Sequence, residues 1–263
     1  MQVEGDIEQG ATIDVQGDIV VHGMIEPCTI TVGGNLQVAG GIVGHEDCRI
    51  ALGGSLQARY VRDAVIDAIG DVTVAGEISH TLLRTLGRVA VPAGRIAGGS
   101  TIARGGITVG QAGAAGATGT ELVAGFDYLL EPRVAAMEEQ LAQYENRRLH
   151  ARRLCDELNH SDGPVDVAQG RRAALEAEIR ESSRLAASLK VEIRTLIAES
   201  EAACHCEIVA LQEVWSGTTI QLGHERMPVR ASVRKPRLAR LLEGRVRLLP
   251  LGEGNMPDDE QAG

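Results

Sequence analysis

Aromatic side chains are almost missing from this chain: one Phe (Phe126), one Trp (Trp215) and three Tyr among 263 residues, 2% in all. A core without rings has to be filled by Val, Ile, Leu and Ala, which suit many thin, equivalent layers better than one thick core. Basic excess is missing too. The formal net charge is -10, the wrong sign for a general nucleic-acid binder, which needs a cationic surface to displace counterions. No apolar run reaches the roughly 18 residues that a bilayer span needs. The opening MQVEGDIEQG has neither the basic nor the apolar segment of a secretory leader. Five cysteines, an odd number without framework spacing, do not describe a disulfide-stapled secreted domain and suit a reducing compartment. The cytoplasm is the compartment expected on these grounds.

Glycine and proline are unevenly spread. Residues 1–125 are Gly-rich and strand-like, 133–162 and 171–216 contain neither Gly nor Pro, and the remainder returns to short apolar runs with turns. Charge follows the same division, the first two parts being net acidic and the last net basic.

The Gly-rich part is a repeat. Units such as GDIVVHG (17–23) place Gly5, Gly17, Gly34, Gly54, Gly70, Gly87 and Gly105 in register, most of them about 17 residues apart. Within a period, apolar anchors recur every five to seven residues or so: Ile13, Ile19, Ile25; Ile30, Leu36, Ile42; Ile66, Val72, Ile78. A chain that runs a short strand and turns a corner three times per circuit describes a triangular parallel β-helix. Alternation in TIDV and DVTV points Ile13 and Val15, or Val72 and Val74, inward while Asp14 and Thr73 face water. Corner glycines are expected to supply positive φ, and the Asp or Asn that follows (Asp6, Asp18, Asn35, Asp71) to hydrogen-bond in the turn. The crossover rule for parallel strands favours a right-handed coil.

The Gly- and Pro-free stretches carry helical seams. One runs Val134, Met137, Leu141, Tyr144, Ala151, Cys155, Leu158, interrupted at Arg148; a second runs Leu175, Ile179, Ser182, Ala186, Leu189, Ile193, Leu196, Ser200, Ala203, lapses at Glu207 and resumes at Ala210 and Val214. Opposite charges such as Glu176 with Arg180 and Glu181 with Arg184 solvate the outer face. The short loop NHSDGPVD between the seams implies an antiparallel pair with roots near Phe126 and Trp215. The last part, with TTIQLG and MPVRASV, reads as strands, with a further strand or short helix at Leu238, Leu241 and Leu242, that cover the final coil.

These segments also carry a resemblance. The succession GDIVVHGMIEPCTITVGGNLQVAGGIVG, LGGSLQARYVRDAVIDAIGDVTVAGEI and GRIAGGSTIARGGITVG, then a long helical hairpin, then SGTTIQLG, resembles the flagellar assembly protein A family over roughly residues 1–225. The resemblance implies a β-helix combined with a coiled coil in a cytoplasmic bacterial protein without established catalysis. Members of that family usually carry a separate domain before the β-helix. This chain begins inside the first coil, so a short form or a fragment is expected, as is association through the strand edges near Val3 and Ile7.

Several groups invite a chemical reading. Cys204, His205 and Cys206 are metal-type ligands, but consecutive residues on a helix diverge by about 100° and cannot close a tetrahedral site alone. His22, His45 and His80 do not recur at the coil spacing that a histidine site between coils would need, and read as polar corner residues. Gly110, Gly113, Gly116 and Gly119 in GQAGAAGATG lack the Gly-Lys-Ser/Thr ending of a phosphate loop and read as a flexible corner leading to TELVAG. The arginines from Arg226 to Arg247 form a basic patch suited to an acidic partner. Without interleaved aromatics they do not read as a nucleic-acid surface, and membrane-surface contact is not expected.

The sequence therefore predicts a mainly β fold with a long α-helical hairpin: a single-stranded parallel β-helix over 1–126, an antiparallel coiled coil over 127–216, return strands and cap over 217–250, and a disordered tail over 251–263. No catalytic, cofactor or metal site is expected, and the partners are proteins, including a possible second copy. A non-enzymatic scaffold or adaptor of flagellar assembly or positioning is the function implied. A bactofilin-like polymer-forming β-helix is the alternative, and a hexapeptide-type acyltransferase a weaker one, since strict hexads and a placed catalytic histidine are lacking.

Overall fold

A computed structural model of the chain describes residues 1–116, 119–159, 165–202, 207–242 and 244–251. They form two compact units, one of Met1–Tyr128 with Cys204–Gly263 and one of Leu129–Ala203.

The first unit is the expected β-solenoid. Its strands are β1 (Gln2–Val3), β2 (Thr12–Val15), β3 (Ile19–Val21), β4 (Thr29–Val32), β5 (Leu36–Val38), β6 (Ile42–Leu52), β7 (Leu56–Ala68), β8 (Val72–Thr85), β9 (Val89–Ala103), β10 (Ile107–Ala112) and β11 (Thr120–Ala124). Every pairing among these eleven is parallel. The long strands β6 to β9 bend around a corner, marked by register shifts such as that between Ala58 and Tyr60. Three stacked columns result. One runs Ile19, Leu36, Leu56, Val72, Val89, Ile107. Another runs Ile13, Ile30, Ile50, Ile66, Leu83. The third runs Ile7, Ile25, Ile42, Val61, Ile78, Ile96. Almost all of these side chains are fully buried, and the core cluster contains no aromatic ring. At about 1.5–3 kcal/mol for each aliphatic side chain removed from water, a coil is held by its neighbours above and below rather than by its own contacts.

The corner glycines act differently from the expectation. None of Gly5, Gly17, Gly34, Gly54, Gly70, Gly87 or Gly105 has positive φ. Gly5 and Gly17 have nothing within 4 Å of an added Cβ, whereas the other five lie close to the adjacent coil: a Cβ on Gly34 would lie 2.2 Å from Asp18 Oδ1, and one on Gly87 2.6 Å from the Gly70 carbonyl carbon. The first of the seven is also in a different column. Gly5 accepts a hydrogen bond from the Gly23 amide at 3.2 Å, and Gly23 in turn from Gly40 at 3.1 Å, whereas Gly17 begins the column through Gly34 to Gly105.

The Asp or Asn that follows four of these glycines bridges coils instead of closing its own turn. Asp6 Oδ1 accepts the Met24 amide at 2.6 Å, Asp18 Oδ1 the Asn35 amide at 2.6 Å, Asn35 Oδ1 the Ser55 amide at 2.8 Å, and Asp71 Oδ1 the Arg88 amide at 2.7 Å. Amides that turn outward at the corner are thus satisfied by the neighbouring coil.

The helical unit holds α1 (Leu130–Asn159) and α2 (Val165–Ala202). Pro132 sits in the first turn of α1, where its missing N–H costs nothing. The two helices pack against each other as a hairpin, burying Met137, Ala151, Leu175, Ser182, Ala186 and Ile193.

The helical reading does not extend to residue 216. After α2 the chain forms β12 (Ile208–Val214), which pairs in parallel with β10: Ile107 with Ile208, Val109 with Ala210, Ala112 with Val214. Ala210 and Val214, placed on a helical seam by their spacing, are buried core residues of the solenoid. β13 (Thr218–Leu222) then pairs in parallel with β11, so the coil that follows the helices stacks directly on the coil that precedes them. Beyond it the pairing turns antiparallel. β14 (Glu225–Pro228) pairs with β13, β15 (Val233–Arg234) and β16 (Arg237–Leu242) with β12, and β17 (Arg245–Pro250) with β16. The cap at Leu238–Leu242 is therefore strand and not helix. Of the expected tail 251–263, all but Leu251 lies outside the described residues.

Candidate functional site

Polar groups concentrate where the chain leaves the solenoid after β11. Asp67 and Arg84 occupy matching positions on β7 and β8 and form a two-pronged ion pair, Nε to Oδ1 at 2.6 Å and Nη2 to Oδ2 at 2.7 Å. The Tyr128 ring lies against the Arg84 guanidinium, 5.3 Å from centroid to Cζ, and its hydroxyl donates to the Ala68 carbonyl at 3.1 Å. Arg104 and Asp127 make a second pair at 3.5 Å. Hydrogen bonding to Asp67 raises the Arg84 pKa; partial burial, then the Asp67 charge, raise that of Tyr128. All these charges are matched, so the cluster fixes the path of residues 125–128 over the coils and presents no free acid, base or nucleophile.

Histidines 22, 45 and 80 are all exposed. His22 Nε2 lies 2.9 Å from Gln2 Nε2. His45 and His80 have φ of 41° and 49°, and Asp63 between them has 52°: they belong to one left-handed corner, where a Cβ on Gly98 would meet His80 Cδ2 at 2.9 Å. His80 Nδ1 is 3.9 Å from Asp63 Oδ1. Cys204, His205 and Cys206 lie outside the described residues. Among the described residues, no group of three or more His, Cys, Asp or Glu is placed to hold a metal ion.

Gly110 ends up inside β10, while Gly113, Gly116 and Gly119 have positive φ and form a turn; residues 117 and 118 are outside the described set. Three arginines of the basic patch are paired. Arg226 pairs with Glu121, Arg234 with Glu213 at 3.1 Å, and Arg240 with Glu207, each linking a cap strand to the coil it covers or to the coil beneath. A shallow depression lined by Gly76, Glu77, Ala93, Gly94, Arg95 and Gln111 holds another matched pair, Arg95 with Glu77 at 3.0 Å. It has none of the converging unpaired groups that mark a ligand site.

The helical unit has a surface of mixed character. Lys190 joins Glu145 across the hairpin at 2.7 Å, holding the Glu145 carboxyl below its usual pKa, and Arg172 with Glu176 and Arg184 with Glu181 line the outside. Among these charges Leu149, Val191 and Ile197 are exposed, Val191 to 63%. Among the described residues no helix is long and apolar enough to cross a membrane.

No curated protein and no solved structure matches the chain. A family model described as the Flagellar Assembly Protein A beta solenoid domain matches residues 1–245, a span running from β1 through both helices into the cap. With the parallel coils, the helical insertion and the returning coil all inside that match, the chain belongs to the Flagellar Assembly Protein A family.

Proposed function

We propose that the chain acts in flagellar assembly or positioning as a non-enzymatic scaffold, meeting other proteins chiefly through its helical hairpin. The observation that supports this reading is the mixed apolar and charged surface of the hairpin. Both units expose some large apolar residues, Met24, Ile69 and Leu241 on the solenoid and Leu149, Val191 and Ile197 on the hairpin; on the hairpin they share the surface with the ion pairs Arg172–Glu176, Arg184–Glu181 and Lys190–Glu145, the mixture that protein interfaces use. The antiparallel cap strands weigh against a polymer-forming reading, because β12 and β13 are already paired on their outer sides and offer no parallel edge to another solenoid.

The test is complementation of a bacterium lacking the protein, with the full chain or with a chain in which residues 129–203 are replaced by a Gly/Ser linker. Flagella of normal number and placement with the full chain, and not with the linker variant at equal abundance, support the reading. Normal flagellation by the linker variant overturns it.

A further inference from the structure

We propose that Cys28 and Cys48 form a reversible disulfide between two adjacent coils, with a small hydroperoxide as the oxidant. The two residues immediately precede Thr29 and Arg49, which are register partners on β4 and β6, and the Arg49 amide donates to the Cys28 carbonyl at 3.0 Å. Adjacent strands run about 4.8 Å apart, inside the range of roughly 4.4–6.8 Å between Cα atoms that a disulfide spans. Both thiols are buried, at 3% and 0% exposure, on neighbouring coils in the same column.

The surroundings leave room for a bridge. The column containing the pair is built of small residues on either side: Ala11, whose carbonyl accepts the Thr29 amide at 3.0 Å, and Ala64, the register partner of Cys48. Alanine satisfies the packing at these neighbouring levels, so volume alone does not call for two cysteines. Cys48 itself is fully buried, so an oxidant reaches it only when its cover opens. The parallel register of β6 with β7 is broken between Val43 and Cys48, His45 and Asp47 in that bulge are exposed, and Gly44 is so close that its Cβ would lie 2.6 Å from the Cβ of Cys48. Backbone without a side chain therefore covers Cys48. A two-oxygen oxidant suits that cover; a tripeptide disulfide does not.

The thiol pair is also prepared for the first step. Its hydrogen bond with Cys28 brings Cys48 down to about 7, and the same hydrogen bond, with burial, pushes Cys28 up, so Cys48 is the thiolate of the two. Its sulfur attacks one peroxide oxygen: an S–O bond forms, the O–O bond breaks, and hydroxide leaves to become water on taking up a proton. The Cys28 sulfur then attacks the Cys48 sulfenic acid: the S–S bond forms, the S–O bond breaks, and the departing hydroxide leaves as water with the Cys28 proton. Two thiols are oxidised by two electrons while one peroxide is reduced to two waters.

The experiment uses the full chain with Cys155→Ser, Cys204→Ser and Cys206→Ser, exposed to hydrogen peroxide or, separately, to oxidised glutathione, and then alkylated under denaturing conditions. Cleavage after Glu46 separates the two cysteines, so a disulfide appears as a cross-linked peptide without reductant. The expected result is joint loss of both alkylatable thiols with peroxide, the cross-linked peptide, full recovery with dithiothreitol, and two free thiols after glutathione disulfide. In a Cys28→Ala version no cross-link should form, and Cys48, without Cys28 to lower its pKa, should be oxidised more slowly than in the parent; if that variant does not fold, the cross-linked peptide decides alone, sought also in the unsubstituted chain. Peroxide-treated folded chain that keeps both thiols, or gains oxygen on Cys48 with no cross-link, overturns the disulfide. Equal oxidation by glutathione disulfide overturns the small-oxidant assignment.

Discussion

Ile107 and Ile208 are register partners on adjacent parallel strands, with the whole helical unit between them in sequence. The Ile107 amide donates to the Glu207 carbonyl at 3.0 Å, the same contact that the Val89 amide makes with Gly106 one coil earlier. The stack continues across the insertion as though it were absent.

That relationship sets where the insertion can be cut. Replacing residues 129–203 with a Gly/Ser linker keeps β12 and should leave a cooperatively unfolding β protein, since closing a loop between near ends costs little. Replacing 129–213 deletes most of β12, uncovering β10 and removing the partner of β15 and β16. Circular dichroism and thermal unfolding should show a folded first variant and an unfolded or aggregated second one. Equal behaviour of the two would contradict the placement of β12 in the core.

Inside and outside alternate sharply along β8. Val72 is fully buried between Leu56 and Val89, and Thr73 is exposed. Val72→Asp puts an unpartnered carboxylate in an aliphatic interior and should cost about 4 kcal/mol or more, enough to abolish cooperative folding. Thr73→Asp should stay within about 0.5 kcal/mol of the parent, as read from urea midpoints.

Two glycines separate spatial need from conformational need. Gly94 has ordinary φ, yet a Cβ there would lie 1.5 Å from the Gly76 carbonyl oxygen; Gly17 has ordinary φ and nothing within 4 Å. Gly94→Ala should destabilise by about 1–3 kcal/mol through forced separation of coils. Gly17→Ala should be neutral or stabilising by up to about 1 kcal/mol, through the unfolded chain. Comparable losses in both would mean that the corners require glycine for its backbone freedom.

The inter-coil bonds at the corners can be probed at Asp71, whose Oδ1 accepts the Arg88 amide at 2.7 Å. Asp71→Ala should lower stability by about 0.5–1.5 kcal/mol. Asp71→Asn, which keeps the acceptor, should recover most of that loss in the same unfolding assay. Failure of Asn to rescue would assign the role to charge instead of the hydrogen bond.

The repeat, the aliphatic core and the helical pair were legible because each is a local pattern: an interval near 17 residues, strand alternation, a seam at three- and four-residue steps. Val72, Val74 and the seam residues Met137, Ser182 and Ile193 are buried as their spacing requires. Residues 208–214 were not legible in this way. Ala210 and Val214 are four apart and satisfy a helical seam, while Ile208, Ala210 and Val214 equally satisfy a strand face, and only the edge offered by β10 decides between them. The same holds for contacts between coils. Gly5 stacks on Gly23 and not in the Gly17 column, Asp18 bonds to Asn35 a coil away, and Cys28 meets Cys48, because coil length varies and register depends on which residues the previous circuit leaves at each corner. The arginines of the cap read as a basic patch in sequence, but folding sets Arg226, Arg234 and Arg240 beside Glu121, Glu213 and Glu207. Periodicity along the chain determined what kind of structure forms; the vertical partners, which no local pattern encodes, were decided only when the coils stacked.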